Sequence, residues 1–324
     1  MRRAVPTILI LLVTVAAGAL EVSRGDIRLT LHENSARFSI DLLIDGEWVS
    51  LLYPDDPRTS ALDVREDNRV HRMGDSGRFR QFVVQREEEV GFVWTSATLR
   101  VEQLFRFTRG RTANRTDALQ VVVTVTNTGE HALSTAVRLL LDTYLGERSN
   151  VHFATPTTPR FNREARLDPG PGVPYVTSTP DAGSGYGLQL MLFGEGVTPA
   201  EEAVLANWKR LTDSAWGYAA DENRNFNRLP YSINDSAILV LYTDERIEPG
   251  QSYSVVTYLG NLSSEGYLTP EAAALAPEHD RLLVRLTQIV ARINALLDEA
   301  DVDPVEVERL QAELDAISSQ VRGR

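Results

Sequence analysis

Cysteine is absent from this chain of 324 residues. Its absence excludes disulfide bonds, thiolate metal ligands and lipid attachment to a cysteine. The fold must therefore be stabilised by apolar burial without covalent cross-links. The sequence has the material for this, since 43% of its residues are hydrophobic, and its length allows one large domain or two ordinary ones.

Lysine is almost absent as well, because Lys209 is the single one, and acidic residues outnumber basic ones. The formal net charge is −12 at pH 7. An acidic surface repels nucleic acid phosphates and anionic membranes. We therefore expect no nucleic acid among the partners of this protein.

The sequence also lacks the spacings that mark common metal and phosphate sites. Its five histidines form no His-x-His or His-x-x-x-His pair, and its glycine-rich loops lack the Lys-Ser/Thr that follows a phosphate-binding loop. Gly74-Asp-Ser-Gly77 is similar to the nucleophile motif of chymotrypsin-like proteases. Too little chain precedes Ser76, however, to build the barrel that carries the other catalytic residues of that family. We predict no metal and no cofactor.

The longest apolar run lies near the N-terminus, from Thr7 to Ala19. Arg2 and Arg3 precede it, and it ends in the small residues Ala17-Gly-Ala19. This order is typical of a cleaved secretory signal, and the run is short for a membrane span. We predict that residues 1–19 are a signal peptide and that the protein is exported, to the periplasm or to the exterior. No membrane span is expected after cleavage; an uncleaved anchor is the alternative.

From residue 20 to residue 262 the chain is dominated by strand signals. Apolar and polar residues alternate with a period of two in Asp26–His32, Ala36–Ile44 and Gly91–Arg109. This pattern predicts a large antiparallel β-sandwich in which each sheet has one face in the core. One helix is expected within it, from Pro199 to Leu211.

Two pairs of neighbouring strands are predicted to be partners. Ala118–Thr126 and Ala136–Leu141 are separated by Asn127-Thr-Gly129, whose asparagine and glycine tolerate positive φ. Ala237–Tyr242 and Ser252–Tyr258 are separated by a Glu-Pro-Gly turn. In each case a short polar turn between two apolar strands favours direct pairing.

After residue 262 the pattern changes. A polar linker is predicted at residues 263–276, and residues 277–324 place apolar side chains at spacings of three and four, which is typical of paired helices. Asp303 and Pro304 mark the start of the second helix as its cap and first helical residue. The predicted fold class is therefore mainly β, a large antiparallel β-sandwich followed by a C-terminal α-helical hairpin.

The apolar positions of this hairpin exceed what two helices can bury against each other. The surplus predicts a third surface, which is the sandwich, a protein partner or a second copy of the chain. The partner-interface candidates are Leu283, Val290, Leu297, Leu310, Leu314 and Ile317.

Asp142 ends one predicted strand, with Glu147 and His152 close behind it. One hypothesis makes the two carboxylates an acid/base or cation-binding pair at the end of the strand. The other, which the sequence favours, is that Asp142 terminates the strand through hydrogen bonds while Glu147 and His152 lie in solvent. A catalytic pair needs apolar burial of one member to separate the two pKa values, and the sequence shows no sign of it.

The segment 207–231 interleaves aromatic residues with planar polar ones. Rings stack on the apolar faces of sugars or peptides, and amides and charged groups bind their polar groups. The alternative is that the rings close one end of the sandwich while the polar residues form turns. The ligand-binding candidates are Trp208, Trp216, Tyr218, Asn223, Arg224, Phe226 and Tyr231.

Two segments carry a resemblance to exported bacterial β-sandwich domains, including the extended type of galactose-mutarotase-like proteins. They are "VVVTVTNTGEHALSTAVRLLLDTYLGE" and "NDSAILVLYTDERIEPGQSYSVVTYLG". The resemblance implies a large antiparallel sandwich and says little about activity, because such folds host both binding modules and enzymes. The catalytic histidines and glutamate of the mutarotase family have no matching motif here, so no residue role is carried over.

We therefore expect an exported, non-catalytic structural or adaptor protein of the cell envelope, which contacts a protein partner or its own copy through residues 277–324. The alternative, from another class, is a glycan-binding or glycan-processing protein that uses segment 207–231. The two hypotheses place the function in different parts of the chain.

Overall fold

The computed structural model of the chain describes residues 12–16 and 18–275, together with residues 289, 293, 310, 311, 313 and 314. The chain divides into two compact units, Met1–Pro270 and Glu271–Arg324. The first unit is mainly β and contains three antiparallel sheets. The prediction of a mainly β, antiparallel fold is therefore confirmed, with three sheets in place of the two of a simple sandwich.

Sheet 1 is a meander whose five strands follow one another in chain order. Alternate residues of its central strand are buried, as a period of two requires when one face is in the core. Its strands are β1 (Leu12–Ala16), β2 (Ala19–Arg24), β3 (Ile27–His32), β4 (Arg37–Ile44) and β5 (Glu47–Ser50).

The remaining strands are shared between two larger sheets. In chain order they are β6 (Ala61–Glu66), β7 (Arg69–Arg72), β8 (Arg80–Gln85), β9 (Val90–Thr95), β10 (Leu99–Thr108), β11 (Ala118–Asn127), β12 (Leu133–Thr143), β13 (Ala165–Leu167), β14 (Tyr175–Ser178), β15 (Leu188–Met191), β16 (Glu202–Asn207), β17 (Ser236–Leu241), β18 (Glu245–Ile247) and β19 (Ser252–Gly260). Sheet 2 has the order β14-β15-β19-β11-β10-β9-β8. Sheet 3 has the order β13-β16-β17-β12-β6-β7, with β18 also paired to β12.

All three sheets contribute to one apolar core. Leu29 of sheet 1, Val123 of sheet 2 and Leu139 of sheet 3 belong to the same buried cluster. Sheet 3 also buries its other face, where Leu140 packs with Leu211 of the short helix α1 (Trp208–Asp213). Sheet 3 is thus apolar on both sides, while sheet 1 and much of sheet 2 alternate between core and solvent.

β11 and β12 are not partners, so the pairing predicted for them is wrong. β11 lies in sheet 2 and β12 in sheet 3, and Asn127-Thr-Gly129 carries the chain from one sheet to the other. The buried Asn127 amide donates to the carbonyls of His131 (2.8 Å) and Ile247 (3.0 Å) and accepts from the Gly129 N–H (2.9 Å). These bonds satisfy backbone groups at the crossing that hairpin pairing would otherwise have satisfied.

The pairing predicted between Ala237–Tyr242 and Ser252–Tyr258 is also wrong, because these two strands likewise belong to different sheets. β17 lies in sheet 3 between β16 and β12, and β19 lies in sheet 2 between β15 and β11. A short apolar strand can cross between sheets as easily as it can fold back, because both arrangements bury the same alternating face. The turn sequence therefore located the turns correctly and misassigned the partners.

The helix predicted from Pro199 to Leu211 is a strand over its middle residues. Residues Glu202–Asn207 form β16, and the helix α1 covers only Trp208–Asp213. Ala203 and Leu205 enter the main core while Val204 and Ala206 pack on the other face of sheet 3. A strand buried on both faces has a continuous apolar sequence, which periodicity cannot distinguish from a helix.

The predicted linker begins as packed structure. Tyr267 is 5% exposed and its ring lies 5.9 Å from that of Tyr258 in β19, while the Leu268 N–H donates to the Arg109 carbonyl at 3.0 Å. The first unit accordingly continues to Pro270.

Part of the predicted signal peptide is a strand in this structure. Residues Leu12–Ala16 form β1, which pairs with β2 at the edge of sheet 1. Cleavage after Ala19, which stays a prediction, would leave β2 as the new edge. In the described part of the chain, no helix is long and apolar enough to cross a membrane.

Most of the predicted hairpin, including Leu283, Val290, Leu297 and Ile317, lies outside the described residues. The six described residues of this region are helical. Ile289 and Leu310 bury each other, with Ile293 and Leu314 packed against them. The hairpin and its proposed interface stay predictions.

Replacing Asn127 by alanine tests the sheet crossing. The change would leave the His131 and Ile247 carbonyls and the Gly129 N–H without their buried partner, so we expect the free energy of unfolding to fall by about 2–3 kcal/mol. Chemical denaturation measures the change. Thr128→Ala, at an exposed neighbouring position, is the matched control, and an Asn127→Ala variant as stable as this control would contradict the role given to the amide.

Candidate functional site

Three carboxylates meet where β12 ends and β17 begins. Asp142, Glu147 and Asp235 each place an oxygen within 4.8 Å of the others. Pairing of β12 with β17 sets Thr143 opposite Ser236, which brings the end of one strand beside the start of the other. Asp142 and Asp235 are therefore close in space although far apart in sequence.

Glu147 reaches this cluster through a tight turn after β12. Gly146 permits the turn, because a Cβ there would lie 2.2 Å from the Val151 carbonyl oxygen. The Glu147 carboxylate then accepts a hydrogen bond from the Ser236 N–H at 3.1 Å. A side chain at residue 146 would push this turn away from β17.

Asp142 is buried on the face of sheet 3 that α1 covers. Alternate residues of a strand share a face, so Asp142 lies on the side of Leu140. Its N–H donates to the Ser60 hydroxyl at 3.0 Å and its carbonyl accepts from the Tyr53 N–H at 3.0 Å. Burial raises the pKa of the Asp142 carboxyl well above its usual range, a hydrogen bond from Thr59 opposes the rise, and the neighbouring carboxylates add to it.

The other members of the cluster are shifted in the same sense. Burial raises the pKa of Glu147 to about 7, with the charge of Asp235 adding to the effect, and burial also raises the pKa of Asp235. The adjacent His152 is 1% exposed, and burial lowers its pKa to about 4, with the charge of Arg160 acting in the same direction. At neutral pH His152 is therefore uncharged. Glu147 is present in both its protonated and its ionised form, because its pKa is about 7.

This arrangement allows two kinds of chemistry. A carboxyl group with a pKa near 7 can act as a general acid or base at neutral pH. Three converging carboxylates also supply the oxygen ligands that Ca²⁺ or Mg²⁺ prefers. The structure thus buries His152 and half-buries Glu147, which the sequence had placed in solvent, and it adds Asp235 to the pair that the sequence singled out.

A polar groove of about 670 Å³ lies beside the carboxylate cluster. Its walls come from the chain that follows β12 and from the β16–β17 connection (residues 208–235). The lining residues are five asparagines, three arginines and the buried Phe226, namely Asn150, Asn162, Asn223, Asn225, Asn234, Arg163, Arg210, Arg224 and Phe226.

Asn234 joins the groove to the carboxylates. It lines the groove, precedes Asp235 in sequence, and its side-chain amide donates to the Glu147 carbonyl at 3.4 Å. Its φ of 54° is in the left-handed region, which asparagine tolerates better than most residues. The same wall is fixed from the other side by Asn227, whose side-chain oxygen accepts from the Asn234 N–H at 2.6 Å.

Phe226, one of the lining residues, belongs to an aromatic cluster with His152 and Phe153. The ring of Phe226 lies 4.4 Å from that of His152 and 5.7 Å from that of Phe153. The buried Asn207 side chain donates to the carbonyls of Phe226 (2.8 Å) and Asp235 (2.9 Å). One side chain thereby fixes the backbone both at Phe226 and at Asp235, a member of the carboxylate cluster.

The buried carboxylate of Glu164 holds the β16–β17 connection in place. It accepts hydrogen bonds from the Tyr218 hydroxyl (3.0 Å), from the Asp221 N–H (3.1 Å) and from the Arg210 guanidinium. The Glu164 N–H donates to the Arg224 carbonyl at 2.9 Å. Four points of the connection are therefore anchored to one residue, whose side chain has no exposed surface.

The aromatic-polar segment divides into lining and supporting residues. Asn223, Arg224 and Phe226 line the groove. Tyr218 bonds to Glu164, and Tyr231 is 71% exposed beside Arg228, outside the lining of the groove.

The two tryptophans of the segment have structural contacts. The Trp208 indole N–H donates to the Thr59 carbonyl at 2.8 Å, and its ring packs on the outer cluster of sheet 3. Trp216 lies against the guanidinium groups of Arg65 and Arg138. Neither tryptophan is among the lining residues of the groove.

Sequence reasoning missed the lining residues Asn150, Asn162, Arg163 and Asn234, as well as Asp235 of the cluster. Arg210 and Asn225 lie within the proposed segment 207–231 but were not among the ligand-binding candidates. Asn150, Asn162 and Arg163 lie between β12 and β13, outside the segment that the sequence singled out. The available signal was compositional, since asparagine and arginine recur in both walls, but only the fold shows that these walls face each other.

Comparison with known proteins gives no family. No family model matches the chain, and no curated protein matches it. Among solved structures it is similar to a candidate aldose 1-epimerase from Escherichia coli, with 12% identity, a TM-score of 0.47, and coverage of 76% of this chain and 99% of that one. It is also similar to a galactose mutarotase-like protein from Lactobacillus casei, with 9% identity, a TM-score of 0.44, and coverage of 76% and 100%.

A third similar structure is a polysaccharide lyase, with 11% identity, a TM-score of 0.42 and coverage of 75% of this chain. The chain spans 33% of the length of that lyase. Galactose mutarotase-like β-sandwich proteins are thus among the structures that this chain resembles, which agrees loosely with the resemblance drawn from the sequence. The scores are too low to transfer any residue role.

Glu147→Gln tests the burial of the cluster through stability. The pKa of Glu147 is raised in the folded state, so wild-type Glu147 takes up a proton on folding. Its favourable contribution to the free energy of unfolding is present below pH 4.5 and is lost as the pH rises to about 7. The neutral glutamine keeps an oxygen for the Ser236 N–H, so we expect the variant to gain about 1 kcal/mol over wild type above pH 7, allowing for solvent screening, and much less near pH 5.

Chemical denaturation near pH 5 and near pH 8 measures this difference. Glu248→Gln, at an exposed position on the turn between β18 and β19, is the control and should show no pH-dependent gain. If the free energy of unfolding of Glu147→Gln differs from that of wild type by the same amount at both pH values, the raised pKa is contradicted.

Proposed function

We propose that this protein binds a glycan in the groove between the chain after β12 and the β16–β17 connection. The observation that carries the proposal is the lining of five asparagines and three arginines. An amide offers a donor and an acceptor side by side, which matches neighbouring sugar hydroxyls. A volume of about 670 Å³ is within the range of small-molecule sites and is large enough for sugar units.

The amides differ in their availability to a ligand. Asn223 and Asn225 already bond to Asp221 and Asn227 within the connection. Asn162 is exposed and makes no side-chain hydrogen bond to any described residue. Arg163, next to it, donates one bond to the Asn223 carbonyl at 3.2 Å and keeps further donors for a ligand. The wall at residues 162–163 is therefore the part of the groove best prepared to bind hydroxyl groups.

The proposal favours the second of the two functions expected from the sequence. The adaptor hypothesis depends on residues 277–324, most of which lie outside the described residues. The glycan hypothesis depends on a groove whose walls, anchors and neighbouring carboxylates are all described. Export to the cell envelope, which we also propose, would bring the groove into contact with extracellular and envelope polysaccharides.

A second candidate function is processing of the bound glycan. It is favoured by the carboxylate cluster, in which Glu147 titrates near neutral pH and lies beside the more strongly buried Asp142. Such a pair can move a proton to or from a bound sugar. Asn234, shared by the groove wall and the cluster, sets the two regions side by side.

Asn162→Ala is the test of glycan binding. A glycan array identifies a ligand for the full-length chain, and titration calorimetry gives its affinity. Loss of one amide should weaken binding by about fivefold to tenfold without changing the melting temperature, because the side chain has no bond within the described fold.

Asn114→Ala, an equivalent change in an exposed loop outside the groove, is the matched control. A chain shortened after residue 270 should bind the same glycan with unchanged affinity. Binding that survives Asn162→Ala but is lost on this truncation would contradict the assignment to the groove and return the function to the C-terminal unit.

Turnover of a bound glycan would be tested with Glu147→Gln. If the cluster processes the ligand, we expect wild-type turnover to change across an apparent pKa near 7 and the variant to lose at least about a hundredfold in rate while keeping its affinity. Product analysis by mass spectrometry measures the rate. Equal turnover by the variant and wild type would assign any processing to other groups.

A further inference from the structure

The groove continues into a second depression. This depression, of about 590 Å³, shares Arg210 and Arg224 with the first and is extended by Tyr218 and Arg228. We refer to the two together as the trough. Two adjoining depressions of this volume offer space for a ligand of several sugar units.

The charge of the first groove is opposite to that of the whole chain. The chain carries a net charge of −12, yet the ionisable residues among the described lining of this groove are Arg163, Arg210 and Arg224, and none is acidic. In the second depression, Asp213 is the acidic lining residue, and it already pairs with Arg228 at 2.7 Å and with Lys209.

The arginines are neutralised to different degrees. Arg210 is matched by the buried Glu164. Among the described residues, Arg224 pairs with the partly exposed Asp221 at 3.2 Å, a type of pair that solvent screens strongly, and it also donates to the Tyr218 hydroxyl at 3.5 Å. Arg163 has no carboxylate partner among the described residues and donates only to the Asn223 carbonyl. The trough therefore holds positive charge that its own side chains do not cancel.

A further arginine adds to this charge at the rim. Arg160 donates two hydrogen bonds to the carbonyl of Asn150, a lining residue, at 2.8 and 3.2 Å, and it pairs with no carboxylate in the described part of the chain. The nearby carboxylate cluster does not offset it fully, because burial raises the pKa values of its members and favours their neutral forms.

We propose that the ligand of the trough is an anionic oligosaccharide, whose carboxylate or sulfate group is bound by Arg163 and Arg224. This inference rests on the proposed glycan-binding function and names its substrate class. The planar guanidinium donates two parallel hydrogen bonds to a carboxylate or sulfate, which a neutral hydroxyl cannot accept in the same way. The otherwise acidic surface confines such a ligand to the trough, because anions are repelled elsewhere.

The test compares one oligosaccharide in charged and uncharged forms. Oligogalacturonides and their fully methyl-esterified counterparts differ only in the charge of the carboxyl group, and a sulfated galactan oligomer forms a separate arm. Titration calorimetry is carried out with the full-length chain, Arg163→Gln, Arg224→Gln and the control Arg246→Gln. Arg246 is an exposed arginine of β18 that does not line the trough.

We expect at least one anionic arm to bind about tenfold or more tightly than the ester. Arg163→Gln and Arg224→Gln should each remove most of that difference, while Arg246→Gln should leave it unchanged. Affinity for the anionic form should also fall as salt is added. The arm that binds identifies the acidic group as carboxylate or sulfate.

Two results would overturn the inference and are distinguishable from each other. Equal affinity for the acid, the sulfated form and the ester, weakened in each case by Asn162→Ala, would show a glycan site without charge selection and leave the proposed function standing. No binding of any of the three forms, and no neutral glycan bound on the array, would remove the proposed function together with the inference.

Discussion

The candidate site depends on the ionic anchoring of one long connection to the sheets beneath it. Glu164, in the segment leading to β13, binds Arg210, Tyr218 and the backbone of Asp221 at once. A second anchor is the buried pair of Asp63 and Arg138, 2.7 Å apart on β6 and β12, since Arg138 also donates to the Trp216 carbonyl at 2.6 Å. Breaking a buried pair of this kind leaves an uncompensated buried charge, which is unfavourable. The ion pairs therefore hold the connection in one conformation.

Sheet 3 links this anchoring to the chemistry of the site. Its inner face belongs to the main core and its outer face is covered by α1 and the connection, so Asp142 at the end of β12 is removed from water. The same register that pairs β12 with β17 fixes Asp235 beside it. Burial is therefore the common cause of the fold's stability and of the raised pKa values in the cluster.

The sequence was informative about where strands and turns lie and uninformative about which strands pair and which loops meet in the fold. Alternation located most strands because it reflects the side-chain positions of a single strand. It could not show that β11 and β12 enter different sheets, since the decisive contact joins Asn127 to Ile247, far along the chain. The groove was not predicted from the sequence for the same reason. Its walls, at residues 150–163 and 210–234, come together only when the chain folds. Phe226 and Arg224 were found because their composition is unusual within one segment.

The connection between β16 and β17 leaves sheet 3 at Asn207 and returns at Ser236, two residues that face each other across paired strands. Its length can therefore change without altering the spacing of those strands. Most of the groove's lining residues lie in this connection, whereas Asn162, Arg163 and the carboxylates Asp142 and Glu147 belong to the chain after β12 or at its end. The connection could therefore be exchanged for another of different length and lining, while the sheets and the carboxylates at the end of β12 remain as they are.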